Sequence, residues 1–202
     1  MDHSETDVNG EARSKCRCYV IQTVSAQEDR LIYLMQQIIP SELMEDVFVP
    51  RREMNRKVRG RWQRIQELMF PGYVFILTSD PDTLFQKLKQ VPRLSKLLQG
   101  DRFEFVPLSE QEQNFIERIG RRRGDHIFGI SKVGLDPEVP YHKGDKVRIL
   151  EGDLKDFAGE IVGLDLRKKK AIIRTEMFGN SSVDVHVGIE IIALKDYMRE
   201  RS

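Results

Sequence analysis

Glu67-Leu-Met-Phe-Pro-Gly-Tyr-Val-Phe-Ile-Leu77 is the stretch that decides how the first half of this chain folds. Phe70-Pro71-Gly72 makes a turn, because Pro presets φ and Gly accepts the positive φ that tight turns need. The residues from Tyr73 to Leu77 are aromatic, β-branched or aliphatic, and no charge interrupts them, so they predict a buried strand. Successive strand side chains point to opposite faces, which puts Tyr73 and Phe75 on one face and Val74 and Ile76 on the other. Both faces are apolar. A sheet covered by helices on one side needs only one such face. The second is either more core or an aromatic surface for an amphipathic partner helix, and the residues alone leave both readings open.

Upstream, 18–24 is a second β-rich apolar stretch. Ser25 and Glu28 have the spacing of a capping box, and Leu31, Leu34, Met35 and Ile38 follow as one helical stripe that stops before Pro40. Residues 47–50 predict a short strand, and Arg59-Gly60 the turn of a β-hairpin. Downstream, Asp80-Pro81 opens a second helix with the stripe Leu84, Phe85 and Leu88, closing by Pro92. Residues 103–106 predict a strand. Ser109 and Glu112 repeat the capping-box spacing ahead of Phe115, Ile116 and Ile119, with Gly120 ending that helix. This order predicts a compact α+β sandwich built on an antiparallel sheet.

Beyond it the pattern changes. Residues 121–140 carry three glycines and two prolines and predict a linker over 121–139. Then come short β-prone runs at 146–150, 159–164, 171–175, 182–187 and 189–194, split by Gly, Asp and Asn. They predict a small all-β, SH3-like barrel over 140–195, with a charged tail at 196–202. Residues 1–16 are polar and small and predict a disordered tail, leaving 17–120 as the first domain.

The 202 residues are 40% hydrophobic and 32% charged, with a formal net charge of +1. No apolar run reaches bilayer length and the start lacks a secretory signal, which predicts a cytoplasmic protein with no membrane partner. Cys16 and Cys18, with one residue between them and no second Cys/His pair to complete a site, predict reduced thiols rather than a disulfide or zinc site. His3, His126, His142 and His186 are scattered, and no nucleophile motif, P-loop or dinucleotide fingerprint occurs. No enzyme, metal or cofactor is expected. The near-neutral total hides a basic segment: 51–64 holds Arg51, Arg52, Arg56, Lys57, Arg59, Arg61 and Arg64 against the single acid Glu53.

Cys18-Tyr-Val-Ile-Gln22, Val49-Pro50, Phe70-Pro-Gly-Tyr-Val74, Val91-Pro92 and Pro107-Leu-Ser-Glu-Gln-Glu112 resemble, in order and spacing, the N-terminal domain of the NusG family. Lys143-Gly-Asp-Lys-Val-Arg148, Glu151-Gly-Asp-Leu154, Phe157-Ala-Gly-Glu-Ile161 and Phe178-Gly179 resemble its KOW domain. The resemblance covers about residues 17–194. It implies a non-enzymatic, monomeric transcription elongation and antitermination factor that docks on the clamp helices of the largest catalytic subunit of RNA polymerase.

Carried over by position, the polymerase contacts would be Phe70, Pro71, Tyr73, Phe75, Val91 and Leu97. The basic segment, through Arg56, Lys57, Arg59, Arg61 and Trp62, would face non-template or upstream DNA; a solvated charged hairpin is the alternative. Arg167, Lys168, Lys169 and Lys170, with Lys155, Arg174, Arg121, Arg122 and Arg123, could grip nascent RNA, or form a solvated turn. Leu154, Phe157, Met177, Phe178 and Asn180 resemble the KOW surface that meets termination factor Rho or a ribosomal protein. Leu154 stands where an aromatic is usual, Asn180 where an arginine is, and Cys18 where a tryptophan is. Those departures resemble a specialised paralogue such as LoaP more than the general factor. A housekeeping member and a ribosome-associated KOW protein are the rival readings.

Overall fold

β1 (Arg17–Gln22) and β5 (Tyr73–Thr78) form the antiparallel centre of a four-stranded sheet of order β2-β5-β1-β6, with Val20 opposite Phe75 and Gln22 opposite Tyr73. The edges are β2 (Asp46–Phe48) and β6 (Phe105–Pro107), both antiparallel to their neighbours. The computed structural model describes residues 16–90, 105–121, 123–135, 147–179 and 181–199, and every structural statement here concerns those residues. Residues 1–15 of the tail predicted over 1–16 and the start of the strand expected at 103–106 lie outside them.

The alternation expected of β5 is realised. Val74 and Ile76 pack with Ile21, Leu31, Met35, Leu84 and Leu88 beneath α1 (Glu28–Ile38) and α2 (Pro81–Gln90). Phe75 faces the other way, with Val20, Phe70, Phe115 and Ile116, so α3 (Glu110–Arg118) covers part of the second face. Each such large apolar side chain contributes about 1.5–3 kcal/mol when fully buried.

Two of the three expected helix caps form. Thr83 N–H donates to Asp80 Oδ1 at 3.1 Å. At α3 the capping box is complete: Glu112 N–H donates to Ser109 Oγ, and Ser109 N–H to Glu112 Oε2. The Ser25–Glu28 box does not form. Gln27 is the N-cap of α1 without a side-chain bond, because Glu28 turns inward to serve another donor.

β3 (Arg51–Val58) and β4 (Arg61–Leu68) make the expected hairpin around Arg59 and Gly60, whose φ values of 49° and 82° suit a two-residue turn with both centres left-handed.

The stretch expected as a linker contributes structure. β7 (Ile127–Phe128) pairs in parallel with β3, and β8 (Ser131–Leu135) pairs in parallel with β12 (Ser181–Ala193) and antiparallel with β9 (Arg148–Glu151). With β10 (Ile161–Asp165) and β11 (Lys170–Met177) this gives a five-stranded sheet of order β10-β11-β12-β8-β9.

The last two expected strands are one. Gly188 does not break β12; a Cβ there would meet Glu53 O at 2.4 Å, so this glycine marks a close approach of the hairpin backbone. A kinked 3-10 segment (Asp153–Glu160) joins β9 to β10. Leu194–Arg199, spanning the end of the expected barrel and the start of the expected tail, is the helix α4. No described helix is long and apolar enough to cross a membrane.

Candidate docking face and nucleic-acid surfaces

The aromatic face starts from the Phe70-Pro71-Gly72 turn. Gly72 O accepts from Thr23 N–H at 2.8 Å, and Gly72 N–H donates to the buried Glu28 Oε1 at 2.7 Å. Those bonds tie the turn to the end of β1 and the start of α1, and so aim Phe70. Its ring lies 5.9 Å from Phe75 and 6.5 Å from Phe115. Pro71 is exposed, Tyr73 half-buried, and Phe75 fully buried. Val91 and Leu97 lie outside the described residues.

This face is not an open hollow. Phe178, in the turn after β11, stacks on Tyr73 with centroids 4.1 Å apart and 14° between planes, and meets Phe70 edge-on at 5.6 Å. The C-terminal β-unit therefore lies on the N-terminal half, and one continuous apolar cluster runs from Phe75 through Phe115 to Phe157, Met177 and Val187.

Leu154, Phe157 and Met177, expected to form a partner surface, are fully buried in that cluster. The physical reason is the second apolar face of β5. α3 covers only part of it, and apolar area left in water costs about 25 cal/mol per Å². Phe178 is partly buried, and Asn180 lies outside the described residues.

Polar contacts fix the arrangement. Arg118 donates through Nη1 to Asp156 O at 2.7 Å and pairs with both Glu160 oxygens, at 2.8 and 3.2 Å, while its guanidinium sits 4.3 Å above the Phe157 ring. Glu112, already in the α3 capping box, accepts from Gly179 N–H at 3.3 Å beside Phe178. Phe178 is itself held at φ 57°, an unusual conformation for an aromatic residue.

The expected DNA-contacting residues stay together. Arg56, Lys57, Arg59, Arg61 and Trp62 are all exposed on the β3–β4 hairpin, with Lys57 opposite Trp62. Arg56 shares Glu67 with Arg52.

The expected RNA-contacting group divides. Arg123 folds back on Asp125 and the carbonyl of Ile127, and Arg174 is bound by Asp184 through two bonds of 2.8 and 3.0 Å. Lys155 and Arg121 are exposed elsewhere, and Arg122 lies outside the described residues. Of the 167–170 turn, Arg167 is exposed, Lys168 and Lys170 line a cleft with the hairpin, and Lys169 Nζ lies 4.9 Å from the Trp62 ring centre.

Sequence reasoning missed Glu28, Arg118, Glu160 and His186. Glu28 reads as part of a helix cap and the other three as ordinary surface residues, and only the fold shows what each faces. His186 is held below the ordinary histidine range, chiefly by burial and then by Lys170 and Arg52. Arg52 is lowered by burial, with Glu67 opposing. Cys18 is pushed up to about 12 and Cys16 to about 11, both mainly by burial.

The aromatic face thus lies beside a basic hairpin, with the C-terminal β-unit folded over it. Residues 17–117 match the family described as "Transcription termination factor nusG", and this chain belongs to the NusG family. It is similar to the Transcription termination/antitermination protein NusG of Haemophilus influenzae, 28% identical over 178 residues, covering 84% of this chain and 89% of that one. The protein of the same name from Escherichia coli K12 is 26% identical over 172 residues, covering 83% and 91%. Among solved structures, "Domain interaction in Thermotoga maritima NusG" matches with TM-score 0.48 and 24% identity, covering 86% of this chain and 94% of that one.

Proposed function

We propose that this NusG-family protein is a transcription elongation factor that docks on the clamp helices of RNA polymerase through Phe70, Tyr73 and Phe75, and promotes anti-pausing and processive antitermination. The observation that carries this is the stacking of Phe178 on Tyr73 at 4.1 Å. Phe178, only partly buried, and a few charged bonds hold the rim of a cover whose inner side is the apolar cluster around Phe157; lifting the β-unit as one body would offer the face to an apolar helix pair.

Docking then competes with the protein's own β-unit. The affinity of a site that is open only a fraction of the time falls by that fraction. If closure is worth about 2–3 kcal/mol, free protein binds polymerase roughly 30- to 150-fold more weakly than opened protein. Bound to polymerase, the factor acts by preferring the elongating arrangement to the paused one.

The exposed hairpin, with Trp62 and its arginines, would lie against non-template or upstream DNA, and the released β-unit would present the 167–170 turn to nascent RNA. Leu154, fully buried where the family usually has an aromatic, supports a specialised member.

In-vitro transcription through a pause and a terminator tests the reading. Phe178→Gly should raise readthrough at limiting factor concentration, and Tyr73→Asp should abolish it in either background. Readthrough unaffected by Tyr73→Asp contradicts the proposal.

A further inference from the structure

The hairpin and the C-terminal β-unit, assigned above to different nucleic acids, form the two walls of one cleft of about 370 Å³. Arg52, Arg56, Lys57 and Trp62 come from the hairpin; Lys168, Lys170 and His186 from the β-unit. The lining thus holds five lysine or arginine side chains and no carboxylate, although Glu67 beside it pairs with Arg52 and Arg56 and Asp165 with Lys168.

Two lining residues keep a buried polar atom without a hydrogen-bond partner: Arg52 Nε and His186 Nδ1, one from each wall. Leaving such an atom unpaired costs about 1–3 kcal/mol. With the His186 proton on Nδ1, an acceptor reaching both would remove that cost. Trp62, 43% exposed, supplies an aromatic surface at the same cleft.

We infer that this cleft binds single-stranded RNA, with one base stacked on Trp62 and its phosphate shared by Arg52, Lys168, Lys170 and His186, and that RNA so bound holds the β-unit over the aromatic face. A cavity of this volume takes about one nucleotide. Exposed Arg59 and Arg61 at the hairpin tip and Arg167 in the opposite turn add positive charge outside the lining itself, which suits a continuing strand over a free nucleotide. Stacking on an aromatic ring requires an unstacked base, which a single strand offers and a duplex does not.

Because each wall belongs to a different half, the site exists only when the halves are together. RNA in the cleft and a partner on the Tyr73 face are therefore antagonists, and each weakens the other by the same factor. The inference depends on the closed arrangement, not on polymerase being the partner.

The test is fluorescence anisotropy of a labelled mixed-sequence RNA decamer with the full chain and no polymerase, so failure here leaves the docking proposal standing. Trp62→Ala and the pair Lys168→Glu/Lys170→Glu should each weaken binding tenfold or more. Phe178→Gly, outside the cleft and uncharged, should weaken it by up to about twofold, because the walls still meet about half of the time or more.

Glu160→Arg separates cleft loss from plain charge: by breaking the Arg118 pair it should weaken RNA binding, whereas added positive charge alone would tighten it. Adding Arg118→Glu should recover part of the loss through the reversed pair, though not the Asp156 and Phe157 contacts. Hydrogen exchange of the β5 and α3 amides establishes that the variants are folded and open.

Unchanged binding by Trp62→Ala, or unchanged or tighter binding by Glu160→Arg, overturns the inference. So does uridine monophosphate competing at the decamer's own concentration, which would assign a free nucleotide. Equal affinity for duplex DNA overturns it as well.

Discussion

Phe178 and Tyr73, 105 positions apart in the chain, lie ring on ring at 4.1 Å, and that pair closes the aromatic face of the N-terminal sheet. Phe178 does so from φ 57°, with Gly179 at φ 83° behind it. A left-handed conformation costs a non-glycine residue of order 1–3 kcal/mol, so the turn carries strain while its ring covers the face.

Phe178→Gly should therefore loosen the two halves without harming the β-unit. The ring and its stacking are lost, which costs about 1–2 kcal/mol of closure, but Gly suits the turn and relieves the strain. Hydrogen exchange should show faster exchange on β5 and α3, with β11 and β12 unchanged. Equal loss of protection in β11 would mean the ring is an internal support of the β-unit.

Glu28 is the buried acceptor for Gly72 N–H. Glu28→Ala should lower stability by about 1–3 kcal/mol by leaving that donor unpaired, whereas Glu28→Gln, which keeps an acceptor oxygen, should lose less. Thermal melts of the two variants measure the difference. Equal losses would mean that the carboxylate, and not the hydrogen bond, holds the turn.

Cys18 is buried and its thiol is pushed up to about 12. Only the thiolate reacts, so at pH 8 iodoacetamide should modify Cys18 in the folded protein at least about a hundredfold more slowly than in the denatured chain. Mass spectrometry of timed samples gives both rates.

His186 is depressed by burial first, then by Lys170 and Arg52, with Asp184 and Asp165 acting the other way. The unfolded chain thus binds its proton more readily than the folded one. Its stability contribution is complete above the ordinary histidine value of 6.5 and declines as pH falls through that value. The melting temperature should drop between pH 7.5 and pH 5.5, and His186→Gln should reduce the drop. An RNA phosphate in the cleft would favour the protonated form, bring the folded-state value back towards 6.5 and so shrink the decline.

Local periodicity made most of the N-terminal half readable. The two faces of β5, the Arg59-Gly60 hairpin, and the Asp80 and Ser109 caps are set within a few residues, and they formed as the spacing predicts. Failures came where a distant element decided the outcome. Ser25–Glu28 has capping spacing, but Gly72, 44 positions on, takes the carboxylate.

Gly188 reads as a strand breaker and is instead the point where Glu53 passes close. Residues 127–135 look too glycine-rich for strands until β3 and β12 supply partners. The docking face was half legible. Composition showed two apolar faces on β5, but a sequence cannot show that Phe178 reaches one of them.

The most direct test is the affinity of the polymerase clamp-helix coiled coil for the full chain, measured by calorimetry on wild type, Phe178→Gly and Phe178→Gly/Tyr73→Asp. The account predicts about five- to thirtyfold tighter binding by Phe178→Gly and no measurable binding by the double variant. Equal affinity across all three would contradict it.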